Sequence, residues 1–311
     1  MIKIQLPDYG FFAIVNYAID CLLIAKNKNL DIFFEWKSSL YGDHDNDCWK
    51  FYFENNNISH NHTYEDVLNP GSFIIKYGEN KRKIHPIGPI YKYNGGKTIL
   101  RNPILTREDI VFLRDKLIIS KDIKKELSIK IDELNKNTNL NSILGYHFRG
   151  YGRLDGGTDL ILRKIFSNFK TLFQIYRNCI ENFSKERKFY LATDSSELLK
   201  YIKKNFKNNL INHNVNRSDY GENHLKNKYN RFTLGKEILL EILTLSKCKK
   251  IIGYPSNIRN FLHILHDEII YPEEIQLNFK FKNRYNLFEK YFNSIWYSLL
   301  EKIRLYQIKK K

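Results

Sequence analysis

Cysteine is scarce and scattered in this chain: Cys21, Cys48, Cys179 and Cys248 stand far apart, with no C-x-x-C and no short paired spacing. That pattern fits free thiols in a reducing, cytoplasmic compartment better than a disulfide framework. Long apolar runs are missing too. The nearest candidate, YGFFAIVNYAIDCLLIA at 9–25, contains Asn16 and Asp20 and is shorter than the roughly 20 apolar residues that a membrane span needs. Asp8 precedes it and no small-residue cleavage pattern follows, so it reads as a buried helix, not a signal peptide. Acidic residues are in deficit, 34 against 51 lysines and arginines, for a formal charge of +17. The excess predicts attraction to anions without choosing among nucleic acid, anionic membrane and phosphorylated ligand. The lysines are spread along the chain and no nucleic-acid-reading motif is present, so no nucleic-acid partner is expected and a basic nucleic-acid-binding protein stands only as a second alternative. A glycine-rich serine elbow and an internal repeat of fixed period are also absent.

What is there is globular: 42% hydrophobic and 27% charged residues over 311 positions, enough for two domains with cores of their own. Residues 2–6, 12–27 and 31–36 read as strand, helix and strand, a βαβ unit. Residues 37–106 read as an elaborated irregular region with one strand at SFIIKY, 72–77. A helical stretch follows from about Thr106 to Leu134, with Ile110, Leu113 and Leu117, then Ile123, Leu127, Ile131 and Leu134, at spacings of three and four. The polar segment NKNTNLN, 135–141, marks a boundary between domains 1–138 and 139–311. Beyond it, strands at 143–148, 188–193, 209–212 and 249–254 alternate with helices at about 162–183, 195–206, 235–246 and 256–266. That alternation predicts a parallel sheet covered on both faces, and two such halves would enclose a ligand cleft. The last segment, 286–311, carries Phe292, Ile295, Trp296, Leu299, Leu300 and Ile303 at helical spacing with basic residues opposite. It reads as a helix packing back across the domains, with peripheral contact to an anionic membrane as the other reading.

The chemistry concentrates in ILGYHFRGYGRLDGGTD, 143–159, an apolar strand running into an arginine among glycines. Strand, glycine-rich turn and helix start form the arrangement that brings backbone N–H groups and a guanidinium onto phosphate. The glycines do not match G-x-G-x-x-G, and no Lys-Ser or Lys-Thr pair follows, so the common phosphate loops are excluded. His147 and Arg149 then carry the signal. They share one side of the strand at its carboxyl end, where open α/β sheets bind ligands.

Three segments in order, GYHFRG at 145–150, FYLATDSSELLKYIKKNF at 189–206 and LLEILTLSKCKKIIGYPSNIRNFLHIL at 239–265, resemble conserved motifs of the superfamily that holds the alpha-1,6- and alpha-1,2-fucosyltransferases and the protein O-fucosyltransferases. The N-terminal GFFAIVNYAIDCLLIAKNKNLDIFFEW with DCWKFYFE resembles a bacterial and viral branch of it. The resemblance implies a GT-B architecture, two Rossmann-like domains facing across a cleft. It also implies inverting transfer from GDP-fucose to a glycan or glycoconjugate hydroxyl, with no cofactor and no required metal. By the same resemblance Arg149 takes the donor β-phosphate, His147 lies against the guanosine, Asp194 reads guanine, and Ser256 and Asn257 meet the diphosphate.

The sequence departs from the family pattern after Arg149, where Gly150, Tyr151 and Gly152 stand in place of a second Arg or Gly followed by Thr-Asp. Another GDP- or UDP-sugar donor is the alternative that this departure favours. The proton acceptor is expected to be Asp155, with Asp159 and Glu35 the other carboxylates in reach. For Asp194 the competing reading is a helix N-cap. Asp43, Asp45, Asp47 and Glu54 fall at positions 1, 3, 5 and 12 of a calcium-loop register, but Cys48 occupies the position where that turn needs glycine. His44, His60 and His62 lack a Cys or acidic partner at zinc-ligand spacing.

Overall fold

The computed structural model describes residues 2–6, 8, 10–29, 31–42, 45–54, 67–68, 91–94, 97–100, 105–136, 138–148, 169–184, 187–217, 230–253 and 257–272. The chain opens with strand β1 (Ile2–Leu6), helix α1 (Phe11–Lys28) and strand β2 (Ile32–Trp36), parallel to β1. The helix α1 is buried on nearly every side, with Ile14, Val15, Ala18 and Ile19 fully enclosed, so its apolar run serves a protein core. It ends where Asn29 takes a left-handed conformation (φ 52°, ψ 49°), its N–H returning to the carbonyls of Ala25 and Lys26. A third strand, β3 (Val67–Leu68), pairs parallel to β1 on its other edge.

Within the stretch expected to be irregular lie a short helix α2 (Trp49–Tyr52) and an antiparallel hairpin, β4 (Tyr91–Asn94) with β5 (Lys97–Leu100). The strand expected at 72–77 and the C-terminal helix of 286–311 lie outside the described residues. The single helical stretch expected over 106–134 is two helices, α3 (Arg107–Lys116) and α4 (Lys121–Asn135). The cause of the break is long-range. The Ile118 carbonyl accepts from Glu54 N–H (2.7 Å), and Ser120 donates its N–H to the Tyr52 carbonyl (3.0 Å) and its hydroxyl to that of Phe51 (2.8 Å). The carbonyls left open at the end of α2 thus gain partners from the backbone that α3 gives up.

A 3₁₀ turn at Leu140–Ser142 leads into the second sheet. Its elements are β6 (Leu144–His147), α5 (Phe169–Ser184), β7 (Phe189–Ala192), α6 (Ser196–Phe206), β8 (Leu210–Ile211), α7 (Arg231–Leu245), β9 (Lys250–Gly253), α8 (Ile258–Leu265) and β10 (Ile269–Ile270). All pairings in it are parallel and the strand order is β10-β9-β6-β7-β8. Successive side chains point to opposite faces. Tyr146, Leu191 and Ile252 join Phe148, Tyr176, Ile180 and Leu198 under α5 and α6, whereas Tyr190, Ala192 and Ile251 enter the core beneath α7 and α8.

That second core does not stop at the sheet. It runs without interruption through Leu239, Leu243, Phe261 and Leu262 to Phe11, Phe12, Ile14, Trp36, Tyr52 and Phe53 of the N-terminal elements. At the seam the Tyr52 hydroxyl donates to the Tyr41 carbonyl (2.6 Å) with the Phe232 carbonyl at 3.2 Å. Gly235 leaves room for that ring, since a Cβ there would stand 2.2 Å from the Tyr52 oxygen. Among the described residues no helix is long and apolar enough to cross a membrane.

Candidate functional site

Numbering the second sheet's strands by chain order, its arrangement is 3-2-1-4-5, and the order reverses between β6 and β9. From β6 the chain crosses to β7 on one side, and after β8 it returns through α7 to β9 on the other. In open α/β sheets the connections part at such a reversal, and the carboxyl ends of the strands there are where ligands are held. His147 is the last residue of β6, in register with Ala192 of β7 and Gly253 of β9. It is buried and shares the face of Gly145, the one that carries α7 and α8. Gly145 itself permits the close packing of α7's end, because a Cβ there would come within 2.5 Å of Leu245 and 2.9 Å of the Cys248 sulfur.

Beyond β7, Thr193 is buried and Asp194 is exposed. The N-cap of α6 is Ser195, whose hydroxyl accepts from Leu198 N–H (3.2 Å), while its own N–H donates to Thr193 Oγ1 (3.3 Å). The N-cap position weighed for Asp194 is therefore its neighbour's, and Asp194 is an exposed residue of that turn. On the other side of the reversal, after β9, Asn257 stands at the N-cap of α8 without a side-chain cap bond. Its carbonyl accepts from Asn16 Nδ2 of α1 (2.9 Å), which ties the first turn of α8 to the N-terminal sheet's helix. The sequence-predicted residues Arg149, Asp155, Asp159 and Ser256 lie outside the described residues. Glu35 is on β2, opposite Gln5. In the acidic loop, Asp47 takes the N–H groups of Trp36 (2.9 Å) and Trp49 (3.0 Å), a structural task. Asp43, His44, His60 and His62 lie outside the described residues.

Behind the Thr193–Asp194 turn is a buried polar group that the sequence reading missed. Glu241 of α7 pairs with Arg217 (2.6 Å), both almost wholly enclosed. Burial pushes the Glu241 carboxyl up to about 7, and the nearby Asp194 adds to this while Arg217 opposes it. His213 is buried beside them, its imidazole pushed down to about 4 by burial and by the positive charges of Lys130 and Arg217. The Thr244 hydroxyl donates to the Leu240 carbonyl (2.8 Å), so the bond between that oxygen and His213 Nε2 (2.8 Å) is donated by the imidazole. The signal available in the sequence was the acid within LLEIL: a carboxylate inside an apolar helical run requires a partner.

No family model matches the sequence, and no curated protein matches it. The structure is similar to that of NodZ alpha-1,6-fucosyltransferase co-crystallized with GDP, at 14% identity and a TM-score of 0.51, over 86% of this chain and 93% of that one. A second structure, of fucosyltransferase NodZ from Bradyrhizobium, aligns at 13% identity and a TM-score of 0.51, over 86% of this chain and 94% of that one. The chain has the α/β fold of these solved structures, and the expected likeness to the fucosyltransferases holds at the level of fold.

Proposed function

We propose that this chain is an inverting glycosyltransferase of GT-B type that transfers fucose from GDP-fucose to a hydroxyl of a glycan or glycoconjugate, without a required metal. The observation that carries the reading is the strand-order reversal between β6 and β9. His147, the Asp194 turn and the first turn of α8 lie at the carboxyl ends of three adjacent elements there. The fold is shared with a fucosyltransferase structure that was co-crystallized with GDP.

In this reading residues 139–311 hold the donor, residues 1–138 face the acceptor across the cleft, and 286–311 return over both. A carboxylate at Asp194 accepts from both N1–H and the 2-amino group of guanine, which uracil cannot offer. His147 lies beside the nucleoside. The N-terminal turn of α8, with Ser256 and Asn257, receives the diphosphate on backbone N–H groups. Arg149 meets the charge that grows on the leaving GDP, and a pre-placed guanidinium does so without proton transfer. Asp155 takes the proton of the attacking hydroxyl.

The test is a thermal-shift titration with GDP, UDP, ADP and CMP, with and without magnesium, followed by turnover with GDP-fucose. Selective stabilisation by GDP without metal supports the reading. A response to UDP alone overturns the donor in favour of the second reading, a UDP-sugar transferase, which the departure at Gly150–Tyr151–Gly152 favours. No response to any nucleotide overturns both.

A further inference from the structure

We propose that Arg217 is a positioning residue for the base end of this site: it immobilises the peptide that carries Asp194 and so preserves discrimination of guanine from uracil. The inference rests on the GDP-sugar reading above. One guanidinium joins three separate segments. Its Nε donates to the Thr193 carbonyl (3.0 Å), Nη1 donates to the carbonyls of His213 (3.0 Å) and Val215 (3.2 Å), and Nη2 donates to Glu241 Oε1 (2.6 Å). The Thr193 carbonyl belongs to the same planar unit as the N–H and Cα of Asp194. Holding that oxygen therefore fixes where the Asp194 side chain begins. Ser195 secures the other flank through its bonds to Thr193 and Leu198.

The preceding residue repeats the clamp one helical turn away. Asn216 donates its N–H to Glu237 Oε2 (2.9 Å) and its Nδ2 to both carboxylate oxygens of Glu237 (3.1 and 3.0 Å). Glu237 and Glu241 are four residues apart on one face of α7. The loop after β8 is thus bolted to α7 at two successive turns, and the end of β7 is bolted to that loop. A buried ion pair is a poor source of net stability, because desolvating both charges offsets much of their attraction. Its better-attested use is to specify a geometry. Here the geometry specified is that of an exposed carboxylate on a rigid backbone, the condition under which hydrogen-bond recognition discriminates between bases.

Lysine cannot replace this arginine, because its donors radiate from one nitrogen and cannot reach three segments at once. The test uses the full chain as wild type, Arg217→Lys and Arg217→Met, the lysine variant keeping a charge beside Glu241 if the methionine variant fails to fold. Two quantities are measured: amide hydrogen exchange across 193–199 without nucleotide, and the ratio of GDP to UDP affinity by calorimetry. The expected result is faster exchange at Asp194 and Ser195, with GDP affinity lowered about tenfold while UDP affinity is unchanged. A general loss of stability would lower both affinities together. Wild-type exchange together with wild-type base preference in Arg217→Lys overturns the inference. If the wild type itself shows no GDP preference, the donor reading fails, and the exchange measurement still decides whether Arg217 holds the turn.

Discussion

Asp194 and Arg149 carry opposite halves of the proposed chemistry, and their substitutions separate binding from turnover. Asp194→Ala removes an exposed carboxylate next to the N-cap Ser195, so it should weaken GDP binding strongly and leave UDP binding nearly unchanged in calorimetry. Equal losses for the two nucleotides would dismiss base reading at that position. Arg149→Ala should lower turnover roughly 100-fold or more, since a lost preorganised charge at a leaving group costs several kcal/mol. Near-normal activity would remove Arg149 from the mechanism. His213 gives a prediction about pH. Its folded value lies near 4, below the ordinary 6.5, so the unfolded chain binds more protons across that interval. The stability it contributes is complete above about 6.5 and disappears as pH falls through 4. The difference in melting temperature between wild type and His213→Gln should therefore be largest and flat above pH 6.5, and should shrink on acidification. A difference that does not vary with pH would show that the histidine titrates normally. Of the Arg217, His213 and Glu241 cluster only the acid within LLEIL left a local signal, and its partner Arg217 lies 24 residues away, outside any local pattern.

The alternating strands and helices of 143–266 were legible because each buried strand is a short apolar run bounded by polar residues, as in FYLA after Arg187 and Lys188. The end of α3 was not. The step from Leu117 to Ile123 is six residues, off helical spacing, but it does not reveal that hydrogen bonding to Phe51, Tyr52 and Glu54 interrupts the helix there. The hairpin β4–β5 did have a local signal, Gly95 and Gly96 between paired strands, and the surrounding polar composition masked it. Helix α7 yields the prediction at this scale. Gly235→Ala forces a methyl into the Tyr52 ring, which is fixed by its hydroxyl bonds to backbone. The change should destabilise by about 1–3 kcal/mol, as overpacking does, despite alanine's better helix propensity. Adding Tyr52→Ala should recover part of that interaction in a double-mutant cycle of chemical denaturation. Strict additivity of the two changes would mean that the ring and helix yield to one another without cost.

Across the whole molecule, the +17 charge lies on a chain whose described lysines and arginines are often already paired with acids, as Lys26 with Asp109 and Lys236 with Glu126 are at 2.8 Å. Positive charge of this kind raises the encounter rate with a diphosphate more than it fixes where the ligand sits. The boundary at 138/139 was read from polar composition alone, and composition does not reveal how apolar surfaces on either side of it are shared. Phe12 of α1 meets Phe261 of α8 at a tilt (centroids 5.5 Å), and Phe51 lies against Phe232 of α7 (4.8 Å). Because the aromatic core crosses the boundary, cutting the gene there would strip each product of part of its interior. Fragments 1–138 and 139–311, produced separately, should be insoluble or bind a hydrophobic dye strongly. Produced in the same cell, they should copurify as a noncovalent pair, since each supplies the surface that the other lacks. Soluble, dye-silent fragments would show that the shared core is dispensable. A reassembling pair would make the chain a natural split reporter, its two pieces held together by the contact between Tyr52 and α7.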